Sequence, residues 1–111
     1  MARKKTFKKS SEQANVRREL SQDAPMILRI HRESCPACQM SEKPWQDFCK
    51  QGVPGFMLIE VEEQAMPPEL MKSITGFPTY AVHNKHGKSK HHTGALMSLE
   101  DIRKFVNTGT D

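Results

Sequence analysis

The sequence predicts an α/β domain built on a mixed four-stranded sheet with helices on its faces. Three observations carry this. Four short segments of strand character, Met26 to His31, Phe56 to Val61, Thr79 to His83 and Ser89 to Thr93, alternate with helix-like stretches. The helical stretch between the first two is long enough for a parallel crossover, and the Asn84-Lys85-His86-Gly87 turn between the last two makes a hairpin. At 111 residues the chain suits one domain and one core.

Each element has its own justification. Ser10 followed by Gln13 predicts a capped helix to about Leu20, with Val16 and Leu20 on one face. Met26-Ile27-Leu28-Arg29-Ile30-His31 is apolar but for Arg29 and its polar end, and suits a buried strand. Pro36 is favourable at a first helical position, so a helix is expected from there to about Gln51, stopped by Gly52 and kinked at Pro44. Trp45, Phe48, Met57 and Leu58 are assigned to the core. Pro67-Pro68-Glu69 starts a short helix through Leu70, Met71 and Ile74, and Ser98 with Asp101 opens a last helix whose Ile102, Phe105 and Val106 face inward.

Charge divides the chain unevenly. Residues 1 to 20 hold seven basic side chains against two acidic ones, whereas the remainder holds ten against eleven. Residues 1 to 10 are therefore expected to be a basic, disordered arm, and residues 11 to 111 the folded domain. Such an arm could meet nucleic acid, an acidic partner or a membrane surface. With Phe7 as its one aromatic, it is read instead as a solvated arm. No run approaches the length of a membrane span and no apolar stretch marks a signal peptide, so a cytoplasmic protein is expected.

Cys35-Pro36-Ala37-Cys38 lies where a strand gives way to a helix. At a helix start, free backbone N–H groups and the positive end of the macrodipole favour an anionic sulfur, which makes Cys35 the nucleophile. Cys38, one turn further in, suits the resolving thiol that attacks the mixed disulfide. A zinc site would need a second ligand pair, and neither His83 with His86 nor His91 with His92 has the usual spacing. No metal and no cofactor is expected. Cys49 lies eleven residues beyond Cys38, roughly 16 Å along one intact helix, and is read as a small buried hydrophobe.

The order of elements, Cys35-Pro36-Ala37-Cys38, Gly76-Phe77-Pro78-Thr79 about forty residues later, and Gly94-Ala95-Leu96 before the last helix together resemble the thioredoxin superfamily over about residues 12 to 107. The resemblance implies the thioredoxin fold and a cis proline at Pro78 beside the cysteines. It also implies a backbone at Phe77 that pairs with an extended substrate, with Pro36 and Ala37 completing the substrate surface. The chain departs from thioredoxins proper in Ser34 before the first cysteine and in Pro36-Ala37 between the two. In that family a buried Asp in the preceding strand is the usual proton acceptor for the second thiol. Here that place falls at Arg29, which cannot act as a base. Water, His31 or Glu33 is left, and His31 is the candidate for proton transfer.

These readings imply a thiol-disulfide oxidoreductase that exchanges a Cys35–Cys38 dithiol or disulfide with protein substrates. A reductant is expected, carrying electrons in cell redox homeostasis and recharged by a reductase or another thiol donor. The alternative is a binding or scaffold module on the same fold, with the cysteines incidental or ligating a metal or an iron–sulfur cluster.

Overall fold

The computed structural model describes residues 3 to 109. Residues 1, 2, 110 and 111, the outer ends of the expected arm and domain, lie outside the described residues. The chain runs β1 (Arg3–Phe7), α1 (Gln13–Leu20), β2 (Met26–His31), α2 (Pro36–Met40), α3 (Glu42–Gln51), β3 (Met57–Glu62), α4 (Pro68–Met71), β4 (Thr79–His83), β5 (Ser89–Thr93) and α5 (Leu99–Gly109). The sheet order is β1-β3-β2-β4-β5. β1, β3 and β2 are mutually parallel, whereas β4 runs antiparallel to β2 and β5 to β4.

Alternation along the strands splits the core between the two faces. Ile27, Leu58, Tyr80 and Val82 meet Trp45 and Phe48 of α3 and Ile102, Phe105 and Val106 of α5. Leu28, Ile30, Ile59 and Val61 meet Val16 of α1 and Met66 on the opposite face. Every residue of β2 is buried, because helices cover both of its faces and strands flank both of its edges. Among the described residues no helix is long and apolar enough to cross a membrane.

Two expectations are corrected. The sheet has five strands, because the basic segment expected to be a disordered arm forms β1 on the outer edge of β3, in register from Arg3 beside Met57 to Phe7 beside Val61. Its charges hide this in the sequence, but they are matched by the fold: Lys4 Nζ lies 3.3 Å from Glu60, Lys5 pairs with Glu19, and Phe7 is buried. The Glu12 carboxylate accepts the backbone N–H groups of Lys8 and Lys9, each at 3.0 Å, and turns the strand into α1.

The single kinked helix expected from Pro36 to Gln51 is two helices, and the break falls at Ser41 rather than at Pro44. Ser41 leaves helical geometry with ψ near 3°, and its hydroxyl donates to the Ala37 carbonyl at 2.8 Å. Pro44 then sits in the first turn of α3, where a missing N–H costs nothing. α3 ends at Gly52, whose φ of 67° favours glycine. The expected cap of the last helix is present, with Asp101 N donating to Ser98 Oγ at 3.1 Å.

If β1 is an integral strand, Phe7→Ala should lower the unfolding free energy by about 3 kcal/mol, the lower end of the range for a buried Phe. Urea unfolding measures this, and a midpoint unchanged from the parent would contradict the strand's place in the core.

Candidate active site

The two motif cysteines sit where β2 hands over to α2. Cys35 is the residue before α2, in extended geometry, and its sulfur accepts the backbone N–H of Cys38 at 3.2 Å. It is half-buried, and its thiol lies 3.6 Å from the carbonyl of Phe77. Cys38 is buried, and its sulfur accepts the backbone N–H of Arg32 at 3.5 Å. Both are free thiols, as is Cys49.

The electrostatics separate the pair. Desolvation pushes the Cys35 thiol up, but hydrogen bonds from the Cys38 thiol and from the backbone N–H groups of Cys38 and Ala37, with the charge of Arg32, hold it below the ordinary thiol range. Cys38 is pushed up to about 11, first by desolvation and then by its bond to Cys35 and the negative charge there, against the opposing backbone N–H of Arg32. An accessible sulfur that ionises early thus stands beside an enclosed sulfur that ionises late, which is the division of labour expected of a nucleophile and a resolving thiol.

The Phe77–Pro78 peptide bond is cis. It brings the Phe77 carbonyl against Cys35, while the Pro78 carbonyl accepts the N–H of Gly94 at 2.8 Å and joins the third sequence mark to the site. The Arg32 guanidinium lies 4.4 Å from the centroid of the Phe77 ring and pairs with Glu63 at 2.6 Å, so the rim beside Cys35 combines an aromatic ring with an ion pair. Pro36 and Ala37 form the first turn of α2 between the cysteines.

Beneath the motif lies a polar cluster that sequence reasoning missed. Arg29 is fully buried, and Nη1 donates to Glu42 at 2.8 Å and Glu60 at 2.9 Å. Nη2 donates to the Cys38 carbonyl at 2.8 Å and to Ser41 Oγ at 3.0 Å. One guanidinium therefore binds β2, β3 and the α2–α3 break together, using the fork geometry that lysine lacks. Glu60 is buried on β3 directly beside Arg29 in the parallel register. The signal that could have found it is a lone acid in an apolar strand facing a lone base in the next.

His31 is buried at the end of β2, with Nδ1 3.5 Å from Glu60 Oε2. His31, Glu60 and Cys38 line one cavity of about 370 Å³. Glu33, the other candidate proton acceptor, is exposed. Cys49 is buried on α3, away from the motif, and desolvation pushes its thiol up to about 12, in keeping with a packing role. His83 and His91 fall on β4 and β5, where His83 bonds Ser89 at 3.0 Å and Asp23 at 3.2 Å. Among the described residues no group of three or more His, Cys, Asp or Glu side chains could hold a metal ion.

No protein-family model matches the chain, and no curated protein matches it. Solved structures do. Chloroplastic thioredoxin z superposes with a TM-score of 0.69 at 20% identity, over 94% of this chain and 93% of that one. A Plasmodium falciparum thioredoxin gives 0.69 at 21% identity, over 96% and 97%. A Malassezia sympodialis thioredoxin gives 0.69 at 12% identity, over 100% and 96%. The chain has the thioredoxin fold.

Two outcomes are expected. At pH 7 iodoacetamide should label Cys35 about tenfold faster than an unperturbed thiol, which is only a few per cent ionised there. The rate should fall as pH drops through the ionisation of Cys35, while Cys38 and Cys49 stay unlabelled until the protein is unfolded; a rate at Cys35 equal to that of a free peptide cysteine would contradict the site's electrostatics. Arg29→Met should cost about 3–5 kcal/mol by stranding a buried carboxylate, and most of that should return in the Arg29→Met, Glu60→Leu double variant. Denaturant titration of the three proteins tests the pairing.

Proposed function

We propose that the chain is a thiol-disulfide oxidoreductase in which Cys35 attacks a protein disulfide and Cys38 resolves the mixed disulfide. The observation that carries this reading is the asymmetry of the pair: Cys35 is reachable and held below the ordinary thiol range, and Cys38 is enclosed and pushed up to about 11. Electrons travel as the dithiol itself, two per turnover, so no cofactor takes part.

A substrate segment lies extended along Phe77, between the Pro36-Ala37 turn and the Pro78 loop, and pairs with the backbone there by strand addition. The sulfur it presents to Cys35 then approaches beside the Phe77 carbonyl, 3.6 Å from the nucleophile. The Arg32 guanidinium, paired with Glu63, lies over the Phe77 ring beside this approach. The working direction is reduction, in a cytoplasmic setting, with a reductase or another thiol donor returning the pair to the dithiol.

Cys35→Ser is expected to abolish reduction of insulin disulfides and to trap nothing, whereas Cys38→Ser should accumulate a mixed disulfide visible on non-reducing gels. Full reduction by both variants would sink the assignment and favour a scaffold, which is indifferent to either change. The direction is tested by the reduction potential. A value near ~−270 mV marks a reductant and one near ~−120 mV an oxidant.

A further inference from the structure

The two margins of the sheet carry similar residues but are finished differently. On β1 the lysines are neutralised by the fold, Lys4 by Glu60 and Lys5 by Glu19. On the β4–β5 hairpin they are not. From Leu70 to Leu99 the sequence holds no acidic residue but four lysines, and three of these, Lys85, Lys88 and Lys90, stand exposed on the hairpin. Among the described residues none of the three makes an ion pair, and Lys90 lies over the Phe105 ring and donates to Thr108 instead. Asp23, which reaches the hairpin from outside it, is taken by His83 at 3.2 Å.

β5 is the last strand of the sheet, and the ladder fixes which of its backbone groups face out. Asn84 N–H donates to the Lys88 carbonyl and Gly94 N–H to the Pro78 carbonyl, each at 2.8 Å. Bonded and non-bonded pairs alternate in an antiparallel ladder, so Lys90 and His92 bond to β4 while the N–H and C=O groups of Ser89, His91 and Thr93 point outward. Side chains alternate as well. Lys90 and His92 face Phe105 of α5, and Lys88 shares their parity. Ser89, His91 and Thr93 lie on the other face, beside a groove left open where α4 is only a single turn. The groove holds spaces of about 490 and 180 Å³, which share Leu20, Leu28, Ala81 and His91.

Lysine on an edge is by itself ordinary, because it keeps sheets from stacking on one another. Here the uncompensated cations, the outward backbone row and the open apolar groove meet on one strand. We propose that the outer edge of β5 takes an extended segment of an acidic partner protein as a sixth strand. Its backbone pairs with Ser89, His91 and Thr93, its apolar side chains close the groove, and its carboxylates, on the alternate positions, meet Lys88 and Lys90. The segment therefore alternates acidic and apolar residues. A nucleic acid fits less well: it leaves the groove and the backbone row unused, and the neighbouring aromatic rings of Tyr80 and Phe105 are buried and closed to stacking bases. The proposal is independent of the cysteine chemistry.

The probe is a fluorescein-labelled peptide of alternating glutamate and valine, about eight residues long, followed by fluorescence anisotropy. It is expected to bind at least about tenfold more tightly than a peptide of the same composition with its glutamates and valines in two blocks, and a lysine-valine peptide should not bind. The Lys88→Glu, Lys90→Glu double variant should weaken binding about tenfold or more, since it sets like charges opposite each other. His91→Pro removes an outward N–H that the fold does not use, a place where an edge strand tolerates proline. It should abolish binding while leaving the urea midpoint within reach of the parent's.

Equal affinity for the alternating and blocked peptides overturns the proposal, as does undiminished binding by folded His91→Pro, because either means attraction by charge alone. Tighter binding of labelled oligothymidylate than of the alternating peptide overturns it in favour of nucleic acid. No saturable binding of the alternating peptide up to about 1 mM overturns it outright. Should His91→Pro not fold, the amide shifts of the wild-type protein decide. Peptide-induced changes centred on Ser89, His91 and Thr93 support strand addition, and changes confined elsewhere overturn it.

Discussion

The guanidinium of Arg29 is the constraint on which the rest of the site depends. A buried cation is tolerated where its charge is compensated, and here the two Nη atoms find partners in four places in the chain, Glu42, Glu60, the Cys38 carbonyl and Ser41, while Nε is left without a hydrogen-bond partner. The result is that the cysteine helix is not merely packed on the sheet. Its Cys38 carbonyl is bonded to a side chain rooted in the central strand, so the position of Cys38 is fixed relative to β2 and β3. The break at Ser41 follows from the same arrangement, because the Ser41 hydroxyl both receives the guanidinium and caps the Ala37 carbonyl.

That fixed base gives the two sulfurs different lives. Cys35 projects from the end of the helix, where backbone N–H groups and Arg32 favour its anion. Cys38 points inward, where desolvation favours its neutral form. A chemical difference between two identical side chains three residues apart is thus produced by burial and by the direction of a few N–H bonds.

Much of this was legible in the sequence where the cause is local. The strand-to-helix handover at Cys35, the cap at Ser98 and the stop at Gly52 follow from residue type and short spacing, the cis bond at Pro78 was implied by the resemblance instead, and each stands as expected. What escaped reading depends on contacts distant in sequence. Arg29 and Glu60 are thirty-one residues apart and become neighbours only through parallel strand register. The amino-terminal strand escaped for the same reason: Lys4 and Lys5 look like solvated charge until Glu60 and Glu19 are placed opposite them. Pro44 misled because a proline's effect depends on its distance from a helix start, which Ser41 had moved.

The composition of the outermost strands bears on how the molecule behaves in a crowd of its own kind. An open sheet ends in rows of unpaired backbone groups, which are templates for stacking one molecule on another. Both margins here carry lysine, Lys4 and Lys5 on one side and Lys90 on the other. Bringing two such margins together would bury polar and ion-paired side chains at strand spacing, which an apolar margin would not. The lysine-rich start of the chain therefore does two jobs, sealing the inner strand beside it and discouraging self-association into fibres.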